Sequence, residues 1–373
     1  MELFRPYQSA SIVGAAFHGK IQERRSPMMK RFTLYNIGIV ILLVMTGCEH
    51  RPLVDLNSNH YIRVYIDEQI KNVTYGFYDE SREKPEYNQP NVIRVALHHP
   101  ETDQVVAERY LQNSGTDERG YYLDGYIQAN PGKYNVMVYN FGTESTQIKE
   151  EQSYWGMTAY TNTIANHLYG FLPKARQEYA DSKIVYEPDH LFIDNIGQLE
   201  IKQGARTDTL YNSQGSHFHG QSMVETYYLQ VRVKGIQWAT SGVSLMSNLA
   251  GSKRMHNRQM VEEDSVLLFM DLKVAERDKE KDEAILYTTF NTFGKLPGKQ
   301  TLFEVNFEFI TVDGRSQLFT FDITPKFETE QVKKERWILL DEVIEIEPPP
   351  SVGDGGFQPG VDDWKDIWTD III

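Results

Sequence analysis

The segment TLFEVNFEFITVDGRSQLFTFDIT (301–324) constrains the fold more than any other stretch of the chain. Apolar and polar residues alternate on both sides of Asp313-Gly314. A period of two sends successive side chains to opposite faces of a strand, one face packed and one wet. Asp-Gly between two such runs marks a hairpin. The dipeptide favours a two-residue type I′ turn, in which both central residues take positive φ. HYIRVYID (60–67) repeats the pattern, setting Tyr61, Arg63 and Tyr65 against Ile62, Val64 and Ile66. So does YYLQVRVKGIQW (227–238), with Leu229, Val231 and Val233 against Tyr228, Gln230 and Arg232. ERWILLDEVIEIE (335–347) reads as a last strand. Turn residues separate the earlier runs at Asn88–Pro90, Pro100, Gly115–Gly120 and Pro131-Gly132. Short strands with turns between them make an all-β sandwich or barrel.

Helical pattern is confined to TIANHLYGFLPKARQEYADS (163–182), which suits short helices before and after Pro173. The charge run KVAERDKEKDEAI (273–285) reads as a solvated loop or strand end. No alternation of strands with helices is present, which argues against a doubly wound enzyme fold. The expected layout is one β-domain over 58–195 and a second over 196–347, the break lying near 195.

The N-terminal region carries an export signal. Lys30 and Arg31 precede an apolar run, Ile37–Met45, broken only by Gly38. That run is too short to span a bilayer and suits the core of a signal peptide. It closes on Met45-Thr46-Gly47-Cys48, which resembles a bacterial lipobox: cleavage after Gly47 and a lipid on the Cys48 thiol are expected. Cys48 is the single cysteine, so no internal disulfide competes for it. Residues 1–28 read as an upstream extension, 29–47 as the signal and 48–57 as a tether. Removing residues 1–47, with six Lys/Arg and two Glu, takes the net charge from −14 to −18. A surface that acidic argues against nucleic acid as a partner and against electrostatic docking on anionic lipid.

Sites for chemistry are sparse. His217 and His219 share one face of a strand, a possible metal pair, but no Cys, Asp or Glu stands at ligand spacing. His98-His99 points to opposite faces. No G-x-S-x-G elbow, phosphate loop or dinucleotide fingerprint occurs. Glu262-Glu263 and Asp362-Asp363 lack the apolar setting that tunes a general acid. No catalytic residue, cofactor or metal is assigned. Asp208-Thr209-Leu210 and Asp264-Ser265-Val266 match a loose O-glycosylation triplet.

The C-terminus is GFQPGVDDWKDIWTDIII. PPPSVGDGGFQPG (348–360) reads as a Pro/Gly linker. In an extended tail (361–373), Ile367, Ile371 and Ile373 share one face and Trp364, Trp368 and Ile372 the other. Three readings stand: a donor strand for a partner, an added strand on the chain's own second domain, or a short amphipathic helix.

The lipobox at Cys48, the two β-domains, the phrases EPDHLFIDN (187–195), TTFNTFGKLPG (288–298) and FEFITVDGRSQLFTFDIT, and the Trp-containing tail together resemble the fimbrillin-type lipoproteins of Bacteroidota. The resemblance implies two transthyretin-like or Ig-like Greek-key sandwiches, export to the outer membrane and assembly into a surface fimbria that serves adhesion. It implies partner subunits joined by strand exchange and membrane attachment through the N-terminal lipid. Stalk subunits of that family lose their first strand to an arginine-specific protease. Arg63, Arg82 and Arg94 are the candidates here, and Arg63 sits inside an apparent strand, which favours an uncut accessory or anchor subunit. The alternative is a surface glycan-binding lipoprotein. Trp155 and Trp238 would then offer stacking platforms for a surface ligand, in exposed and coplanar aromatics.

Overall fold

The structure is a computed structural model that describes residues 58–66, 89–140, 144–202, 207–261, 265–296 and 302–350. All of them belong to one compact unit, Asp55–Ile373. Its described residues are mostly strand.

The N-terminal lobe holds β1 (Asn59–Ile66), β2 (Ile93–His98), β3 (Val105–Leu111), β4 (Asn113–Asp117), β5 (Gly120–Gln128) and β6 (Gly132–Asn140). Next come β7 (Thr146–Lys149), β8 (Thr158–Thr161) and β9 (Ile184–Val185), which leave this lobe. The lobe is completed by β10 (Phe192–Ile201), β11 (Thr207–Thr209) and β12 (Phe218–Ser222). Its sheet runs β3-β2-β6-β10-β12-β1-β5-β4, with β11 also on β1. Only Gln112 separates β3 from β4, so the two ends of the sheet are joined by the chain itself. The sheet folds over a core of Ile62, Val64, Leu123 and Ile127 from one half and Ile93, Val95, Leu97, Val136 and Val138 from the other. β1 keeps the expected alternation, with Ile62, Val64 and Ile66 inward.

The C-terminal lobe is a two-sheet sandwich. Its strands are β13 (Glu225–Lys234), β14 (Ala239–Ala250), β15 (Ser252–Arg254), β16 (Ser265–Asp271), β17 (Lys273–Asp278), β18 (Glu283–Thr292), β19 (Glu304–Thr311), β20 (Ser316–Asp322) and β21 (Trp337–Glu345). One sheet runs β17-β18-β13-β21, the other β20-β19-β14-β16-β9. The core between them includes Leu229, Val231, Val233, Leu286, Val305, Phe307 and Phe309. β13 lies between β18 and β21, and both of its faces are covered: Gln230, on the side opposite Leu229 and Val231, is fully buried. Gly235 follows β13 with φ 74°, and a Cβ there would lie 2.4 Å from the Ile346 carbonyl oxygen, so only glycine fits this close crossing.

The structure departs from a break at 195. β10 runs straight through that position, and β11 and β12 beyond it complete the N-terminal sheet. Conversely, β8, β9 and the helical stretch within residues 144–186 pack on the C-terminal lobe, while Glu151, Ser153 and Tyr154 bond Arg94, Asp103 and Asn195 of the N-terminal one. β8 pairs with β15 and β9 with β16. A 3-10 turn at Asn166–Phe171 and helix α1 (Pro173–Glu178) flank Pro173, as the sequence pattern expects. Ile164, Leu168, Leu172, Ala175 and Ile184 pack on Val243, Leu245, Leu267 and Phe269. A linear break fails here because β7 to β9 leave the N-terminal sheet and β10 returns to it, a non-local pairing that local patterns do not encode. A further apolar cluster joins the lobes: Met137, Tyr139 and Ile193 meet Tyr154, Met157 and Ala159 from the crossing segment and Ala250, Phe293 and Leu296 from the C-terminal sandwich.

The hairpin at Asp313-Gly314 forms between β19 and β20, but its turn is not type I′. Gly314 alone takes positive φ, at 79°, and Asp313 does not. Gly314 N–H donates to Thr311 O, and Thr311 N–H to Arg315 O, both at 2.8 Å. A longer loop, with a type I turn ending on a left-handed glycine, matches this pattern and needs positive φ at only one residue. Helices α2 (Thr324–Phe327) and α3 (Glu330–Glu335) lead into β21.

Candidate functional site

If this chain acts by strand pairing, the relevant parts are its first strand, its sheet edges and its two termini. Gly47, Cys48 and the tail residues Trp364, Ile367, Trp368, Ile371, Ile372 and Ile373 lie outside the described residues, as does Arg82.

β1 is firmly held. It pairs antiparallel with β5 from Asn59 to Tyr65 and parallel with β12 from Val64 to Ile66. On its outer face Arg63 is locked from several sides. Its guanidinium donates to Asp117 at 3.1 Å, to Asp124 at 3.0 Å and to the Tyr61 hydroxyl at 2.9 Å. It also lies 3.7 Å from the centre of the Tyr122 ring. Tyr61 donates to Asp124, and Tyr65 to Asp117 at 2.7 Å. Burial and the Asp124 carboxylate push the Tyr61 hydroxyl up to about 12, so it remains a donor at every working pH.

Arg94 is held more tightly still. It stands on β2 with its side chain 3% exposed, bonded to Glu108 at 2.7 Å, to Tyr139 and to Glu151. A protease must draw its scissile segment out as an extended strand, so cleavage follows local opening. Two of the three candidate arginines thus sit in paired strands. Digestion of the folded chain with an arginine-specific protease is expected to leave the bonds after Arg63 and Arg94 uncut until the protein unfolds. Peptide mapping across a urea series checks this, and cleavage there in native buffer would refute it.

The other sequence candidates separate. His219 stacks on Tyr65 at 5.3 Å, and His217 packs near Tyr65 and Tyr211. Burial, with Arg63 and Arg119 nearby, holds the His217 ring below its ordinary pKa. No group of three or more His, Cys, Asp or Glu in metal-binding geometry occurs among the described residues. His98 is buried against Tyr154. His99 instead accepts the Glu101 and Thr102 amides in a turn. Trp238 packs on the C-terminal core, while Trp155 is 55% exposed beside Tyr154 and His256. On the outer face of β1 and β5 the rings meet edge to face, Tyr61 on Tyr126 at 63° and Tyr65 on Tyr122 at 67°. That arrangement offers no coplanar platform for a sugar. Of the glycosylation triplets, Thr209 lies on β11, Ser265 starts β16, and Asp264 is outside the described residues.

A family model described as a domain of unknown function (DUF5119) matches residues 47–270, more than half of the chain. The chain belongs to the DUF5119 family. Its matched region runs from the residue before Cys48 to β16, so it includes the whole N-terminal lobe and the crossing segment. A Bacteroides ovatus protein provisionally named fimbrium anchoring subunit Fim4B is 26% identical over 223 residues, 59% of this chain. The alignment spans about half of that protein's length, 55%. Among solved structures, a protein from Bacteroides ovatus provisionally named an adhesin superposes with a TM-score of 0.53. It has 21% identity, over 81% of this chain and 98% of that one. The fimbrial anchor protein Mfa2 from Porphyromonas gingivalis gives a TM-score of 0.40 at 11% identity, over 75% of this chain and 89% of that one. These names are of fimbrial and adhesive proteins, not of enzymes. The fimbrium anchoring subunit among them agrees with the fimbrillin-type resemblance carried by the sequence. The superposition with the first of these structures confirms the all-β fold. No described helix is long and apolar enough to cross a membrane.

Two titrating groups in this DUF5119 protein, Glu187 and His190, lie in the short stretch between β9 and β10, and sequence reading missed both. The Glu187 carboxylate accepts the Asn291 amide at 2.7 Å. Burial pushes it from 4.5 up to about 7, with Asp189 and Asp271 adding to the rise. A carboxyl with a raised folded pKa keeps its proton where the unfolded chain has lost it. Stability therefore falls as pH rises from about 4.5 to 7. Burial lowers His190 to about 4, so its effect has the opposite sense: stability falls as pH drops below 6.5. Glu187→Gln keeps an acceptor oxygen and removes the charge. It is expected to stabilise by on the order of 1–3 kcal/mol at pH 8 and by little at pH 5. Melting curves at the two pH values check this, and equal effects at both would refute it.

Proposed function

We propose that this protein is a lipid-anchored, surface-exposed subunit of a fimbria, of anchor or accessory type, that contributes to adhesion and joins its neighbours by strand complementation. The observation that carries the reading is the 26% identity to a protein named as a fimbrium anchoring subunit. Three features support it. The lipobox supplies an outer-membrane tether at Cys48. The Arg63 and Arg94 ion pairs favour an uncut first strand, so the lipid is retained and the subunit stays at the membrane. The tail sequence has the alternation that a donor strand requires: if extended, Ile367, Ile371 and Ile373 share one side and Trp364, Trp368 and Ile372 the other. Backbone pairing then gives affinity and the isoleucines give register.

The test is Cys48→Ala in an exporting Bacteroidota host that makes fimbriae. The expected result is loss of the protein from the outer-membrane fraction and release of fimbriae into the medium. Fimbriae that stay on the cells while the variant is soluble would exclude an anchoring role.

A further inference from the structure

Open strand edges invite pairing with other chains, and proteins blunt them with charge, bulges or shortness. Among the described residues, the strands that end a sheet follow that rule with one exception. β3 carries Glu108 and Arg109 and a register shift against β2. β17 carries Lys273, Glu276, Arg277 and Asp278 and a shift against β18. β21 carries Asp341, Glu342 and Glu345 and a shift against β13. β4 is five residues of polar sequence, and β7, β9 and β15 are shorter still. β20 differs. Its seven residues, Ser-Gln-Leu-Phe-Thr-Phe-Asp, contain no proline, one terminal charge and an unbroken register with β19. Phe319 and Phe321 face the sandwich core, against Phe309 and Phe307, yet stay partly exposed. A further strand beside β20 would cover both rings.

The chain's own end leaves from the same place. Gln317 clamps Glu347 with two hydrogen bonds at 2.9 Å, one from its amide to the Glu347 carbonyl and one from the Glu347 N–H. Arg315 donates to the Pro348 carbonyl at 3.1 Å. The last described residues therefore sit at the start of β20. The ten residues 351–360 reach about 35 Å at most, more than the about 24 Å length of β20, so the following segment can run back along it.

We infer that in the free subunit the edge of β20 is covered by this chain's own residues 361–373, a self-complemented state that withholds both the edge and the tail until assembly. The isoleucine face meets Phe319 and Phe321. Intramolecular docking over a short linker carries a high effective concentration, so a partner's groove must outcompete it. This rests on the tail being a strand, as proposed above. It adds where that strand resides before exchange.

Hydrogen exchange by mass spectrometry on chain 48–373 with Cys48→Ser tests it. The comparison is the same chain with Ile371→Lys and Ile373→Lys, which leaves every described residue intact. Expected is exchange in peptide 316–322 about tenfold faster in the variant, with other strands unchanged and protection independent of protein concentration. Equal exchange in both chains overturns the inference. Protection that appears only at high concentration, with dimers in solution, also overturns it and assigns the tail to a second copy. Concentration-independent protection alongside fimbriae that stay attached in the Cys48→Ala cells would leave this inference standing and remove the anchoring role.

Discussion

Phe293→Ala should split a single unfolding transition into two. Phe293 is 1% exposed and stands in the cluster that joins the lobes, with Met137, Tyr139 and Ile193 of the N-terminal sheet on one side and Ala250 and Leu296 on the other. β8 and β15 pair across the same region. With this third core intact, neither lobe can open without stripping apolar surface from the other, and the chain melts as one body. Removing the phenylalanine ring costs about 3–5 kcal/mol, the transfer of the ring plus the cavity left behind. The loss falls on the coupling between the lobes more than on either of their own cores. Calorimetry reads the outcome: equal van't Hoff and calorimetric enthalpies for the parent, unequal for the variant. A parent that already melts in two steps would show that the joint does not couple the lobes.

The strands were legible in the sequence because their alternation is local. β1 puts Ile62, Val64 and Ile66 on the packed side, as the pattern has it, and the alternating apolar residues of β19 and β20 also face the core, Phe307 and Phe309 buried and Phe319 and Phe321 partly so. The hairpin at Asp313-Gly314 was legible in position but not in turn type, since an Asp-Gly pair fits both a two-residue turn and a longer one closed by a single left-handed glycine. The domain break was not legible. Nothing in residues 144–186 announces that they leave one sheet to pack on another, and nothing in Phe192–Ile201 announces the return. Polar residues on covered faces were missed for the same reason. Gln230 on β13, and Asn306 and Glu308 on β19, read as the wet side of alternating strands, yet each is 0–1% exposed. Arg94 was legible as an arginine but not as a buried one; its partners Glu108, Tyr139 and Glu151 lie 14, 45 and 57 residues away.

Glu308 shows what such a residue does, and its loss is the second large effect expected. Helix α1 begins at Pro173 after Leu172, whose side chain has no oxygen to cap the first free amides. A helix start leaves four N–H groups without partners, and burying them unpaired is costly. Glu308 supplies the missing acceptor from the sheet beneath. One carboxylate oxygen accepts the Lys174 amide at 2.7 Å and the other the Ala175 amide at 2.9 Å, while Ser316 donates its hydroxyl. The negative charge also meets the positive end of the helix. Tyr179 continues the contact by bonding Asn306 at 3.1 Å and Glu304 at 3.2 Å. One strand thus pins the crossing segment, which in turn covers the outer face of the sheet. Glu308→Leu fills the space but orphans the buried Ala175 amide and the part-buried Lys174 amide, so about 2–3 kcal/mol of stability should be lost. Glu308→Gln retains one acceptor and should lose about half as much. Urea denaturation gives both values, and hydrogen exchange at Lys174 and Ala175 locates them. If the leucine variant matched the parent in stability, water would have to reach the helix start, and the crossing segment would be a loose cover instead of part of the sandwich.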